Sequence, residues 1–535
     1  MLLHTNKMED ISIFKSWVPK WAIIIILFVC LLHSMILLGV YTSNVTYAAS
    51  FLDVESEDLQ YAMCVTYGTL LGTILIESRF SSFFPAKNYL MAVYSLIGIT
   101  IVSSAYITNF AVFLLMRVAE GILMALPVIT IRQLLIEQFN SKNAIIIGFS
   151  FYYGSLLLST PFIMNIAVWF LDHYEWKYML YVSGMLQVLN VFLILVTFRG
   201  HRITKKIPLY QIDWMSYFLV LTSILCGAYF FVYAEKKYWF DSAEMVFMLA
   251  FSMVTGGLFI FKELLVKRPS FNFDVFKYAN LRIGFVLFFL FYISRATLSL
   301  CHSAMYSIWN WDPSRVAGVQ YINALGNVIG LVLAAFFLLK SVSTKVIFMI
   351  GFTLIAVFHF WFTFLFVPDV SLSDIVIPYT LQGIGVGFLF VPLILFTTSS
   401  VPAKMAVSSG IVGVSGRFWG STIGFCVMQN AMVFLNKKHF LKLSQFVTGE
   451  NPEAQETIAK TTQSFIAKGY SADNASVLAM KKIFGTITKQ STLLADMEIY
   501  TVVGYGLVVL IILIACNQHL RHTANFFKKK KLWIS

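Results

Sequence analysis

Long apolar runs alternate with short polar segments along almost the whole of the 535-residue chain. A membrane-spanning helix needs about 20 apolar residues. Runs of that kind lie near 21–42, 60–79, 89–108, 110–136, 144–170, 178–198, 212–234, 244–262, 282–302, 317–339, 346–366, 374–398, 405–434 and 497–516. The pattern predicts an all-α membrane protein with 14 transmembrane helices. Glycine and proline inside the runs do not argue against helix, because neighbouring membrane helices re-satisfy the backbone groups they free. The first run, Trp21 to Tyr41, is long enough to span and reads as a signal anchor, not a cleaved leader.

One segment departs from the short-loop pattern. From Asn436 to Asp496 the chain is polar, with a break at Asn451-Pro452 and helical patterning over Glu453 to Lys468 and Ala472 to Lys489. It reads as a helical hairpin outside the cytoplasm.

Composition sharpens this picture. Hydrophobic residues make up 59% of the chain and charged residues 12%, half the share that a soluble domain needs to face water. Lipid is therefore the solvent for most of its surface. The net charge of +13 would also suit a nucleic-acid binder, but here the basic residues sit in short segments between apolar runs, as cytoplasmic loops do. With the N-terminus inside, the inner loops hold Arg79 and Lys87; Lys142; Arg199, Arg202, Lys205 and Lys206; Lys267 and Arg268; Lys340 and Lys345; and Lys404. The tail, with Arg521 and Lys528 to Lys531, falls inside as well. An even helix count with both ends cytoplasmic fits this distribution. The expected architecture is an N-terminal six-helix bundle over 1–200 and two inserted helices over 201–278. A C-terminal six-helix bundle over 279–535 follows, carrying the outer hairpin at about 436–496. Such bundles rock about a central cavity to give alternating access.

Several stretches carry a family resemblance. LLMRVAEG (Leu114 to Gly121) looks like an Arg-x-x-Gln-Gly motif, and EWKYMLYVS (Glu175 to Ser183) like a Trp-Arg-Trp-x-Phe segment. Asn44-Val45 and the stretch from Asp58 to Tyr67 stand where an Asn-Val pair and a Gln-Trp helix start would be. QGIGVGFLFVPL (Gln382 to Leu393) has a glycine ladder followed by proline, and SSGIVGVSGRFWGSTIG (Ser408 to Gly424) a Ser-Gly…Arg-x-x-Gly-x-x-x-Gly helix. Asn451-Pro452 and Gln490 to Tyr500 are similar to a long outer loop and its re-entry into the last helix. Together these resemble the fourteen-helix drug:proton antiporter branch of the major facilitator superfamily, the EmrB/QacA group. The resemblance implies the major facilitator fold in a bacterial inner membrane. It also implies proton-coupled efflux of amphipathic small molecules, with a periplasmic adaptor and an outer-membrane channel as partners. Three departures stand out. The loop after the second helix keeps only Gly72, Glu77, Arg79 and Lys87 of its motif; the fifth helix keeps only Pro161 of its antiporter signature; and Gly39 replaces an acidic residue in the first helix.

Intramembrane charges are costly and mark function by default. Arg117 and Glu120, three residues apart, share one helix face. They form either an ion pair that lets the helix bury both charges or a proton-exchanging pair that replaces the missing first-helix carboxylate. Arg417, between Gly416 and Gly420, meets either an anionic substrate or neighbouring carbonyls. Arg295 and His302, seven apart, share a face of the ninth helix, and His302 titrates near neutrality when unperturbed. His359, in an aromatic run, reads as structural. Glu77, Arg79 and Lys87 are candidates for a cytoplasmic gate or for a solvated helix end. Gly121, Pro161, Gly383, Gly385, Gly387, Gly420 and Gly424 are candidate helix-packing positions. The nine histidines are scattered and the six cysteines form no CxxC pair, so no metal site, cofactor or enzyme constellation follows. The sequence thus predicts a secondary transporter whose partners are a small-molecule substrate, protons and the lipid bilayer. Uptake or metabolite transport is the alternative to efflux, and a non-transporting membrane sensor is a remote one.

Overall fold

A computed structural model describes residues 13–42, 45–139, 143–203, 206–448, 450–518 and 520. Asn44, Lys142, Lys205, Arg521 and Lys528 to Lys531 of the sequence reading lie outside the described residues. In chain order the helices are α1 (Lys20–Ser34), α2 (Ile36–Thr42), α3 (Val45–Leu52), α4 (Ser56–Phe83), α5 (Ala86–Ser104) and α6 (Phe110–Glu137). They continue with α7 (Ala144–His173), α8 (Trp176–Thr197), α9 (Trp214–Tyr233), α10 (Ala243–Leu265), α11 (Ala279–Ala296) and α12 (Leu298–Ser307). The last six are α13 (Pro313–Leu339), α14 (Thr344–Thr363), α15 (Leu372–Thr398), α16 (Ala406–Ser444), α17 (Pro452–Ile466) and α18 (Ala472–Cys516).

Among the described residues, 13 helices are long and apolar enough to cross a membrane, with α11 and α12 counted together. The run near 21–42, expected as one span, is instead broken into α1 and α2 at Met35. The cause lies in side chains. The Ser34 hydroxyl donates to the Cys30 carbonyl at 2.8 Å, and the Tyr94 hydroxyl of α5 donates to the same oxygen at 2.7 Å. Hydroxyls that enter the backbone ladder in this way loosen the next turn. The run near 282–302 breaks at Thr297 in the same manner. The Thr297 hydroxyl donates to the Ser294 carbonyl, and its own carbonyl accepts from Tyr500 of α18 at 2.9 Å.

Close helix approach is set by glycine. Gly121 of α6 faces the Thr66 carbonyl of α4. Gly383 and Gly387 of α15 face α13 backbone at Asn323 and Asn327, while Gly385 faces Leu354 and Ile355 of α14. A Cβ at Gly420 of α16 would stand 2.8 Å from the Phe289 carbonyl of α11, and one at Gly424 would stand 3.1 Å from Ile293 Cα. Without an apolar driving force between helices in lipid, such backbone-to-backbone packing supplies the association.

The early helices pack as α4–α6 and α5–α8, and the late ones as α13–α15, α11–α16 and α14–α18. The two groups meet mainly where α7 lies along α13 and α4 along α16. Helix α9 sits against that seam, touching both α4 and α16, whereas α10 packs chiefly on α9 and stays largely exposed to the surroundings.

The polar segment after 436 is built as extensions of spanning helices. Helix α16 continues to Ser444, and α18 runs unbroken for 45 residues. At 1.5 Å per residue that is about 68 Å, twice the thickness of a bilayer core. Asn436 Nδ2 donates to Thr492 Oγ1 at 3.2 Å, and Lys438 and His439 both reach Glu498, tying the two extensions together. Helix α17 closes the hairpin against α18.

Candidate functional site

Among the described residues, two buried carboxylates stand in the first group of helices. In α6, the Arg117 guanidinium pairs with the Glu120 carboxylate, and both side chains are almost fully buried. The other Glu120 oxygen accepts from the Ser104 hydroxyl of α5 at 3.2 Å. Arg117 lies 4.2 Å from the ring centroid of Tyr41 in α2 and 5.0 Å from that of Phe113. Cation–π contacts of this kind offset part of the cost of removing an arginine from water. The pair therefore joins α2, α5 and α6. It has no equivalent in α2 itself, because Gly39 packs hard on α7: a Cβ there would stand 3.2 Å from Thr160 Cα. The acidic residue missing from the first span has no room at that position. Pro161 sits in the same part of α7.

The second carboxylate is Glu77, fully buried near the far end of α4, where Thr130 of α6 donates to it at 2.9 Å. Arg79 points elsewhere and donates to Gln211 before α9 at 3.2 Å. Lys87 is half-buried and has no ion pair with either. The structure thus does not gather Glu77, Arg79 and Lys87 into one cluster.

The central site lies where the two groups of helices face each other. Arg417 of α16 sits about 16 Å along its helix from Ala406, at mid-membrane depth. Its guanidinium is 5.7 Å from the ring centroids of both Tyr153 in α7 and Phe390 in α15. Arg295 of α11 is 5.3 Å from the ring of Tyr292 and 5.8 Å from that of Phe291. Tyr67 of α4 lies within electrostatic reach of both arginines and packs at 5.6 Å on Phe418. Both arginines are half-buried although they lie deep in the protein, and the Nε of each is without a partner. Neither guanidinium makes an ion pair with a described residue. Tyr67, Tyr292, Arg295 and Arg417 all keep accessible surface here, which makes a tyrosine-lined chamber with two positive charges and, among the described residues, no paired carboxylate.

His302 goes elsewhere. Because the helix breaks at Thr297, it does not join Arg295 but bonds to the Tyr379 hydroxyl of α15 at 2.7 Å and to Gln320 of α13. Asn323, Asn327 and Gln382 continue this polar network, with Asn323 Nδ2 donating to Gln382 at 2.5 Å. His359 bonds to Thr297 at 3.0 Å and to the Ile355 carbonyl at 2.8 Å, which is a structural role.

Sequence reasoning missed Asp496 of α18. It is 1% exposed, one of its oxygens is without a partner, and it lies beside Cys301 and Tyr500. Its only sequence signal is a lone aspartate at the edge of the last apolar run. The tyrosines around Arg417 had no signal at all, since aromatic residues occur throughout the chain. Among the described residues, no group of histidine, cysteine and carboxylate side chains is arranged to hold a metal.

No protein-family model matches the chain. It is 22% identical over 409 residues to the multidrug export protein EmrB of Haemophilus influenzae, covering 75% of this chain and 76% of that protein. It is 19% identical to the probable multidrug resistance protein EmrY of Escherichia coli, over 76% of this chain and 77% of the other. It is 20% identical to the fatty acid resistance protein FarB of Neisseria gonorrhoeae, over 64% and 66% of the two chains. Among solved structures, a POT family transporter in complex with a thioalcohol-conjugated peptide superposes with TM-score 0.57 at 14% identity, over 92% of this chain and 96% of that one. The proton:xylose symporter XylE superposes with TM-score 0.51 at 13% identity, over 89% and 94%. The chain thus shares the fold of these transporters, the major facilitator fold that the sequence motifs implied.

Proposed function

We propose that this major facilitator transporter exports amphipathic small molecules against the proton gradient across a bacterial inner membrane, with both chain ends cytoplasmic. The halves 1–200 and 279–535 rock about the central chamber to expose it to each side in turn. The names of the curated relatives, which are export and resistance proteins, favour export over uptake. The outer hairpin is a docking surface for a periplasmic adaptor that leads to an outer-membrane channel, and Leu441, Phe446 and Val477 leave its apolar side exposed.

The observation that carries the coupling is the Arg117–Glu120 pair. Glu120 is buried among α2, α5 and α6, facing Arg117, Tyr41 and Ser104, and it neighbours Gly121, whose packing against Thr66 sets the position of α4. The next residue of α4, Tyr67, faces the central arginines. Proton arrival at Glu120 neutralises one member of the pair and leaves Arg117 with only its aromatic contacts. The resulting change in α6–α4 packing is passed along α4 to the chamber. Glu77 and Arg79 are cytoplasmic-side positions that govern closure through α4 contacts with α6 and with the segment before α9, and Lys87 stays a gate position at the start of α5. The test is proton-driven export into inverted membrane vesicles by Glu120→Gln. Loss of the proton dependence, with downhill exchange of substrate retained, is the expected result. Undiminished proton-driven flux would rule Glu120 out.

A further inference from the structure

Most charged side chains inside the spans have a countercharge or a donor: Arg117 has Glu120, Glu77 has Thr130, and Glu263 accepts from Ser216 and from the Phe271 amide. Arg295 and Arg417 do not. Each carries five N–H donors in a planar fork that cannot be deprotonated in a protein. Aromatic rings at 5.3–5.8 Å are their only described compensation. An unpaired charge at membrane depth is expensive to keep, and here two are kept in one chamber. Tyr67, Tyr153 and Tyr292 all lie within electrostatic reach of Arg417, so their hydroxyls are further donors beside it. The glycines of α16 hold this arrangement in place, because Gly416 and Gly420 bring α11 against α16 and set the two arginines on one side of the chamber.

We propose that this chamber is a binding site for the carboxylate of an amphipathic organic acid, held by Arg295 and Arg417, with the apolar part of the molecule lying along the half-buried rings of Tyr67 and Tyr292. The inference rests on the transporter reading and narrows it to a substrate class. Bidentate arginine–carboxylate pairing supplies the countercharge that the described residues do not, and the tyrosine hydroxyls take the remaining lone pairs. An amphipathic cation entering the same space meets two like charges with no carboxylate to screen them, which costs several kcal/mol in a dry site and excludes it. Two forks on neighbouring helices also fix the headgroup without specifying the tail, so chain length and ring structure are tolerated.

The experiment uses the full chain, purified and reconstituted in lipid nanodiscs. Binding of dodecanoate and of dodecyltrimethylammonium is followed by isothermal titration calorimetry. Dodecanoate is expected to bind and the cation not to. Arg417→Gln and Arg295→Gln each weaken dodecanoate about tenfold or more, and Arg417→Lys recovers part of the loss, since a charge-assisted hydrogen bond is at stake. Unaltered unfolding temperatures of the glutamine variants exclude a merely structural effect. Equal binding of anion and cation, or dodecanoate binding untouched by both glutamine variants, overturns the proposal. Vesicle flux separates the two readings. Arginine-dependent binding without any flux would sink the transporter reading and leave the site, whereas flux of the cation alone would sink the site and leave the transporter.

Discussion

The two arginine centres of this protein, Arg117 in α6 and the pair Arg295 and Arg417 in α11 and α16, are alike in aromatic surroundings but differ in burial and, more tellingly, in their countercharge. Arg117 has a carboxylate three residues along its own helix, and Arg295 and Arg417 have none. A charge with a built-in countercharge is balanced within the protein, although Arg117 Nε lacks a hydrogen-bond partner just as the Nε of the other two does, and the balance changes only when a proton changes it. A charge without one is completed by something that comes and goes. The first arrangement suits an ion-coupling element and the second a substrate site, and α4 touches both through Thr66 and Tyr67.

The comparison breaks first, and by the largest amount, at Arg117. Arg117→Gln leaves Glu120 as a lone buried charge and is expected to cost about 3–5 kcal/mol. Thermal unfolding in detergent measures this, and the double variant Arg117→Gln with Glu120→Gln should recover most of the loss. A double variant as unstable as the single one would show that packing, not charge, sets the cost. The opposite is expected at the other centre. Arg417→Gln should unfold no earlier than the parent protein, because no described partner is orphaned by it.

A smaller effect tests the geometry of the second centre and leaves its charge alone. Gly420→Leu places a side chain where a Cβ already stands 2.9 Å from Tyr292 Cβ. Overpacking of this kind costs about 1–3 kcal/mol. By pushing α11 from α16 it should also weaken anion binding while both guanidinium groups remain. Retained binding in a destabilised variant would mean that the arginines do not act as a pair.

Much of this was legible in the sequence, for a physical reason. A backbone in lipid must satisfy its own hydrogen bonds, so apolar length alone places nearly every span. Charges inside spans are rare enough that Arg117, Glu120, Arg295 and Arg417 could be named before any fold was known. What failed was whatever depends on a second helix. The break at Met35 is made by Tyr94 from α5, and the separation of His302 from Arg295 by Thr297 and its partners on α14 and α18. Asp496 was lost because hydropathy falls at that point while the helix continues, so a polar extension looked like a loop. The tyrosines of the chamber are invisible among so many aromatic residues until their neighbours are known.

The smallest effect belongs to a third kind of charge, the ion pair at the rim. Asp213 caps α9 by accepting from the Ser216 amide at 3.1 Å, and Lys262 from the end of α10 pairs with it. Partial burial alone would raise its carboxyl, but the Lys262 ammonium and the Ser216 donors outweigh this and hold it below the ordinary carboxylate range. A carboxylate whose folded value is depressed contributes stability that is fully present above the unfolded value, near 3.9, and is lost as pH falls through the folded one. Asp213→Asn should therefore cost about 0.2–1 kcal/mol at pH 7, the range of a half-exposed pair. It should also remove part of the stability loss seen on acidification below about pH 4. Unfolding midpoints of parent and variant between pH 7 and pH 3 measure both. A difference that stays constant over that range would mean that Asp213 acts only as a helix cap and that Lys262 contributes nothing. Paired charges would then matter in this protein only where water is excluded, as it is at Arg117 and Glu120.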